Sequence, residues 1–479
     1  MNGRVLRLST WVCFVSIMMP MTQSAAAGGI PDLLEDPLLT LPPVLAEGPH
    51  LPGESMPLAC PATVDWHSTL SLNDAVDLSL CHNPQIRAAW ANIKLQASAV
   101  GQARAAYLPT VSATLSQLKN KTQYPDFPDS STTNQGQTAY IGLTLRLFDF
   151  GGRAANREAA NSALLAAMLS HDAVLQKTLA ATVEAYFDAQ TALSQHQARE
   201  QEVEVAARTL ATTKRRQEKG AVAQSDVLQA QAALAKAELV EQRAASELKK
   251  AYALLAFTMN VPTDIELHLA AMPEINTPDI ESDLQHWITE AQSRHPALLA
   301  AQAQVEAARA KIQAARSEGM PSLDWTSNFY RNGYPNQGLQ SIRSNTTTWG
   351  ITLNIPLFDG FSRTYKVREA QAQLEQSEAQ AQDTERQILS DVVKAHVDAL
   401  SALANLQSSA KLLNATKAAL TSSENRYAKG VADIIELLNQ QGALAEARQE
   451  NVRSMAEWRS AKLRLLANTG VLNRTDLQR

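Results

Sequence analysis

Apolar and polar residues alternate along four short stretches of the chain. Elsewhere the apolar positions recur at helical spacing. Val111, Ala113 and Leu115 share one phase, as do Ile141, Leu143, Leu145 and Leu147. Leu323, Trp325 and Phe329 share another, as do Trp349, Ile351, Leu353, Ile355 and Leu357. Period two over about ten residues predicts strands with one apolar face. The opposite phase carries Thr144, Arg146, Thr352 and Asn354, so the other face is polar. Long polar loops, "KNKTQYPDFPDSSTTNQGQ" and "RNGYPNQGLQSIRSN", join the strands into two hairpins, 108–149 and 321–358.

The period changes after each hairpin, and it changes at the same words: "LRLFDFGGR" at 145–153 and "IPLFDGFSR" at 355–363. Residues 152–218 and 360–428 contain no proline and are rich in Ala, Gln, Glu, Leu and Arg. Each predicts a helix roughly 100 Å long at ~1.5 Å per residue. Asp149 and Asp359 stand where these helices begin, a favourable place for a cap or a negative charge. Gly151 and Gly360 supply the sharp turn. Gly220 and Gly430 end the long helices, and shorter ones return over about 224–258 and 433–468, making helical hairpins 152–258 and 360–468. A helix precedes each β-hairpin, near 85–106 and 297–318.

Shifted by about 210 residues, the chain matches itself in order. "CHNPQIRAAWANI" answers "RHPALLAAQAQV", Pro109 answers Pro321, and "RQEKGAVAQSDVLQAQAALA" answers "RYAKGVADIIELLNQQGALA". The layout is therefore a tandem repeat, 71–260 and 281–470, with a linker at 261–280 and a tail at 471–479. Helices of this length, with aromatics at only 5%, point to close-packed coiled-coil-like assembly rather than a thick core.

Composition adds an address. Arg4 and Arg7, the apolar "STWVCFVSIMMPM" and the small residues "SAAAG" have the order of a secretory signal over 1–27. The rival reading, a membrane anchor, needs a longer apolar run. The proline-rich 28–70 reads from its composition as a disordered linker. Cys60 and Cys81 remain after cleavage; an even pair in an exported chain suggests a disulfide, with two separate buried thiols as the alternative. The net charge of −5 and the lack of a basic block give no nucleic-acid face. No ligand spacing for a metal, no nucleophile triad and no phosphate loop is present, so neither a cofactor nor catalysis is expected.

Ten-residue strands with one apolar face fit a membrane barrel or a soluble packed hairpin. Aromatic placement favours the membrane: Phe148, Phe150, Phe358 and Phe361 gather at one end, and Phe329, Tyr330 and Trp349 at the other. Four strands cannot close a barrel, and open edges are forbidden in lipid, so the barrel must be shared between chains.

The tandem repeat, the joints at 147–152 and 356–360 and the R-x-x-x-G tips at 216–220 and 426–430 resemble the TolC family of outer-membrane efflux proteins. The resemblance implies a mixed α and β membrane protein. A homotrimer shares a 12-stranded outer-membrane barrel that continues into a long periplasmic α-helical barrel in a Gram-negative cell. It also implies that 28–70 is an extended N-terminal arm running along the outside, and that the chain docks to a periplasmic adaptor and an inner-membrane ABC or proton-driven pump. Cargo is then a polypeptide, as in the type I secretion members that export cyclolysin-like toxins, or small molecules such as drugs or metals. A periplasmic coiled-coil scaffold leaves the girdled strands without a purpose. By the same resemblance, Arg216, Gly220, Ala221, Val222, Arg426, Gly430, Val431 and Ala432 meet the adaptor. Asp226 and Tyr427 link to close the periplasmic end, and Glu436 and Asn439 stand at its acidic rings. Ala432 replaces a usual arginine and Asn439 a usual carboxylate, which implies a weaker latch and a less cation-selective mouth.

Overall fold

A computed structural model describes residues 36–43, 45, 60, 68–263, 265, 267–270, 283–332 and 344–472. The signal segment, most of the arm and linker, the second polar loop and the end of the tail lie outside the described residues.

Each repeat opens with two helices rather than one. In the first, α1 (Leu72–His82) is followed by α2 (Pro84–Ala105). Ser71 and Asp74 form a reciprocal capping box at the start of α1. Asn83 then caps α2 by accepting the Gln85 N–H at 2.7 Å, with Pro84 in the first turn, where its missing N–H is harmless. Strands β1 (Thr110–Tyr124) and β2 (Phe127–Phe148) follow, then α3 (Gly152–Glu218) and α4 (Gln224–Thr258). The second repeat runs α5 (Leu284–Arg294), α6 (Pro296–Ser317), β3 (Ser322–Arg331), β4 (Asn345–Asn354), α7 (Ser362–Ala428) and α8 (Ile434–Thr469).

The strands form one antiparallel sheet in the order β1-β2-β3-β4. Its register sets Val111 opposite Leu143, Leu145 opposite Trp325 and Trp325 opposite Ile351, so the apolar phases fall on one face. Among the described residues nothing covers that face: Trp349 is 79% exposed and Leu115 84%. Arg146 stands opposite Asp324 on the polar face, and the two form an ion pair at 2.9 Å. Tyr140 donates to Asn328 at 3.1 Å and stacks on Tyr330. Tyr330 is thus buried on the polar face and leaves the expected aromatic girdle, and Trp349 stands mid-strand, opposite Ser327. The first hairpin also departs from expectation. Its "loop" is largely ladder, because β1 and β2 stay paired to Tyr124 and Phe127.

Both long helices have 67 residues. α3 packs against α1, α2, α4, α6 and α8, while α7 packs chiefly on α8, α6 and α5. Small residues line these seams: Ala159 and Ala166 on α3, Ala303, Ala307 and Ala314 on α6. Near the middle of the α7–α8 hairpin, Ala399, Ala402 and Ala461 make room for the fully buried Trp458.

The waist is tied across the sequence. Leu70 and Leu269 form a short parallel bridge, with the Leu70 N–H donating to His268 O at 2.6 Å. The Tyr186 hydroxyl on α3 donates to Leu70 O at 3.1 Å, and burial pushes that phenol up to about 12. Gln176 on the same helix donates to Leu472 O at 2.9 Å. Arm, linker and tail therefore meet around one stretch of α3. Cys60 is bonded to Cys81 of α1, and Thr40 lies beside Gly101 of α2.

Candidate functional site

The working parts of the chain are its two strand–helix joints and its two helical tips. At the first joint, Phe150 and Gly151 take left-handed backbone (φ 51° and 87°). Asp149 accepts the Arg153 N–H at 2.9 Å and its Nε–H at 3.1 Å, while the guanidinium also donates to the carbonyls of Arg146 (2.8 Å) and Leu147 (3.3 Å). One arginine thus satisfies the last strand carbonyls and is held by the aspartate that caps the helix. At the second joint Gly360 and Phe361 are left-handed. Asp359 accepts the Arg363 N–H at 3.0 Å, and Arg363 reaches Pro356 O at 3.4 Å. The recurring Asp, Gly and Arg of the sequence are one structural device, used twice.

The tips explain the R-x-x-x-G spacing. Gly220 is left-handed (φ 70°); its N–H donates to Gln217 O, and the Ala221 N–H donates to Arg216 O. Gly430, the Val431 N–H and Arg426 O repeat the pattern. This is the paired hydrogen-bond geometry of a glycine-terminated helix. The arginine occupies the third position from the helix end, and glycine the position that must be left-handed. Ala221, Val222, Val431 and Ala432 form the turns that follow, with Val431 69% exposed.

The two arginines make different contacts. Arg426 pairs with Glu436 in its own hairpin at 2.9 Å. Arg216 crosses to the other hairpin: its guanidinium lies 4.6 Å from the Tyr427 ring centroid and donates to Tyr427 O (3.3 Å) and Ala428 O (3.2 Å). It adds donors at the carbonyl end of α7, where a cation is also favoured by the helix dipole.

The expected Asp226–Tyr427 bond is not made. The Tyr427 ring is buried in a cluster with Ile434 and Leu437, and its hydroxyl has no partner among the described residues. Asp226 lies in the first turn of α4 and accepts from Ser225 Oγ at 3.3 Å. Glu436 is neutralised by Arg426, and Asn439 lines a cavity of about 570 Å³ between the two helical hairpins with Arg199, Lys236 and Glu424. Sequence reasoning missed Arg216 as the cross-hairpin contact, because its partners lie more than two hundred residues away.

Among the described residues, no helix is long and apolar enough to cross a membrane. The lipid-facing element is the sheet, whose two free edges require neighbours. Such a sheet, jointed to helices this long, defines an outer-membrane channel with a large periplasmic tunnel. The family profile described as Outer membrane efflux protein matches residues 75–261 and 287–471, one match in each repeat, and the chain belongs to that family. It is similar to Protein CyaE of Bordetella pertussis, with 34% identity over 476 residues covering 99% of this chain and 97% of that one. Alkaline protease secretion protein AprF of Pseudomonas aeruginosa is 24% identical over 417 residues, 85% of this chain and 86% of that one. The fold matches the Campylobacter jejuni CmeC outer membrane channel with a TM-score of 0.73 at 18% identity, over 90% of this chain and 96% of that one. Channels of this family are trimeric and act with adaptor and pump partners.

Proposed function

We propose that this chain forms the outer-membrane channel of a type I protein-secretion system. As a homotrimer it carries a polypeptide from a periplasmic adaptor and an inner-membrane ABC pump to the outside. The observation that carries this reading is the likeness to CyaE over nearly the whole of both chains, together with AprF, whose name states protease secretion. The hairpin tips, with Arg216, Gly220, Ala221, Val222, Arg426, Gly430, Val431 and Ala432, are the adaptor-facing end in this reading. A passive tube suits the family and fold, which are those of channels. The family's descriptive name favours a second reading, efflux of small molecules.

One deletion separates the two. A strain lacking this chain should retain its secreted polypeptides inside the cell while its susceptibility to drugs and metals stays the same. Unchanged secretion with raised susceptibility would replace the first reading by the second.

A further inference from the structure

The lipid-facing side of the sheet changes character along its length. The register carries its apolar rows from Leu323 and Leu353 near the joints up to Val111 and Leu143. Arg331 then enters the row that holds Leu115 and Ala139. Beyond that row, on the same face, Lys119 stands opposite Gln135 and Lys121 opposite Thr133. All three cations are exposed, and none forms an ion pair with a described residue. From Leu353 to Lys121 no carboxylate stands on this face. Asp324 is on the opposite, polar face with Arg146.

We propose that Arg331, Lys119 and Lys121 form a binding surface for lipopolysaccharide of the outer leaflet, taking the phosphates of its lipid A and inner-core sugars. The inference needs the outer-membrane placement and not the secretion reading.

Three observations favour this occupant. The first is height. Lys119 and Lys121 lie four and six residues along β1 beyond Leu115, roughly 14 and 20 Å at ~3.4 Å per residue. With strands tilted by about 40°, they stand roughly 10 and 15 Å above that row. A phospholipid headgroup layer is only about 6 Å deep on each side of the hydrocarbon. The lysines therefore rise above such a layer, to the level at which phosphorylated sugars continue. Arg331, at the edge of the apolar band, is placed for the lower phosphates. The second is the difference between the two ends of the sheet. At the joints the exposed side chains are aromatic, Phe148, Phe150, Phe358 and Phe361, and the nearby Arg153 and Arg363 are held by Asp149 and Asp359. Unpaired cations thus stand at the outer boundary and paired ones at the inner, which matches a bilayer whose outer leaflet alone is densely phosphorylated. The third is the face itself. The cations continue the lipid-facing side, so a chain passing through the lumen runs along the other one. Ammonium and guanidinium groups free of carboxylates make charge-assisted bonds to phosphate without first breaking an ion pair.

The test uses the purified full-length trimer, with bound lipid counted by native mass spectrometry across a titration. Three lipids would be compared: lipopolysaccharide, the same lipopolysaccharide stripped of its phosphates, and phosphatidylglycerol. The wild type should hold the intact form on the order of tenfold more tightly than either of the others. Lys119→Gln with Lys121→Gln should weaken retention of the intact form by about tenfold, and adding Arg331→Gln should weaken it further. Lys119→Arg with Lys121→Arg keeps the charge and should retain the wild-type affinity. Equal affinity for lipopolysaccharide and phosphatidylglycerol would overturn the proposal, since the surface would then be merely basic. Undiminished retention by the glutamine variants would overturn it as well. If those variants do not assemble into trimers, the wild type's response to removal of the phosphates decides alone.

Discussion

The two repeats share a backbone and differ in how each is fastened. At the helix start before the sheet, the first repeat uses Asn83 and the second His295, whose Nδ1 accepts the Ala297 N–H at 3.2 Å. At the joint, the Asp149–Arg153 pair is close and largely buried, at 3.1 Å with both side chains near 15% exposed. The Asp359–Arg363 pair is looser, at 4.0 Å with both at 37%. Tyr107 covers the guanidinium of Arg153 at 4.8 Å. The matching position, two residues before the strand proline, is Gly319, and a Cβ there would overlap Arg363. A disulfide, Cys60–Cys81, fastens the arm to the first repeat, and the second repeat has no cysteine. Duplication preserved the turns, which glycine and hydrogen-bonding geometry dictate. It left side-chain partners free to diverge, and the first repeat became the anchored half around α3.

That contrast can be broken in steps. Removing the disulfide should have the largest effect. Cys60 and Cys81 are 21 residues apart, and opening such a loop costs about 3 kcal/mol in the chain-entropy account. Cys60→Ser should lower the thermal midpoint of the purified trimer by several degrees, and reductant should then have no further effect on the variant.

The joints come next. Asp149→Ala strands a buried arginine and should cost about 2 kcal/mol, whereas Asp359→Ala should cost under about 1 kcal/mol. Parallel denaturant titrations check this; equal losses would mean that the tighter geometry of the first joint carries no extra stability.

The smallest effect concerns pH. Burial holds the His295 imidazole below its ordinary pKa of 6.5. As pH falls through about 6.5 the unfolded chain protonates first, so stability is complete above that value and declines as pH drops toward the folded value. His295→Asn, copying the first repeat, should flatten the acid side of a melting-temperature profile.

Much of this was legible in the chain. The long helices, the return helices and the glycine turns follow from period, proline exclusion and R-x-x-x-G spacing, all local properties. The α1–α2 and α5–α6 breaks are equally local, at Asn83-Pro84 and His295-Pro296, but each leaves the helical period on either side unchanged, so the sequence reads as one helix. The outer ladder of the first hairpin carries no apolar alternation, since residues 116–138 are mostly Thr, Gln, Asn, Lys and Ser; backbone pairing alone extends it. The partner of Arg216 was hidden for another reason. Side-chain choice between a near carboxylate and a distant helix end is decided in space, and the repeat's own symmetry argued for the near one.

The first hairpin runs on beyond the ladder that joins the two repeats. The ladder between the repeats ends at Ala139 and Arg331, while β1 and β2 run on together from Ser116 to Tyr124, roughly 30 Å at ~3.4 Å per residue. With three chains around an axis, the extended first hairpin occurs three times on the extracellular side. A bulky body approaching from outside, an antibody or a phage tail, touches the Pro125–Asp126 mastheads well before it reaches the pore. An emerging chain passes between them into a fenced, water-filled court. Among the described residues, the mastheads are thus an outward site at which an epitope or a fluorescent tag can be placed.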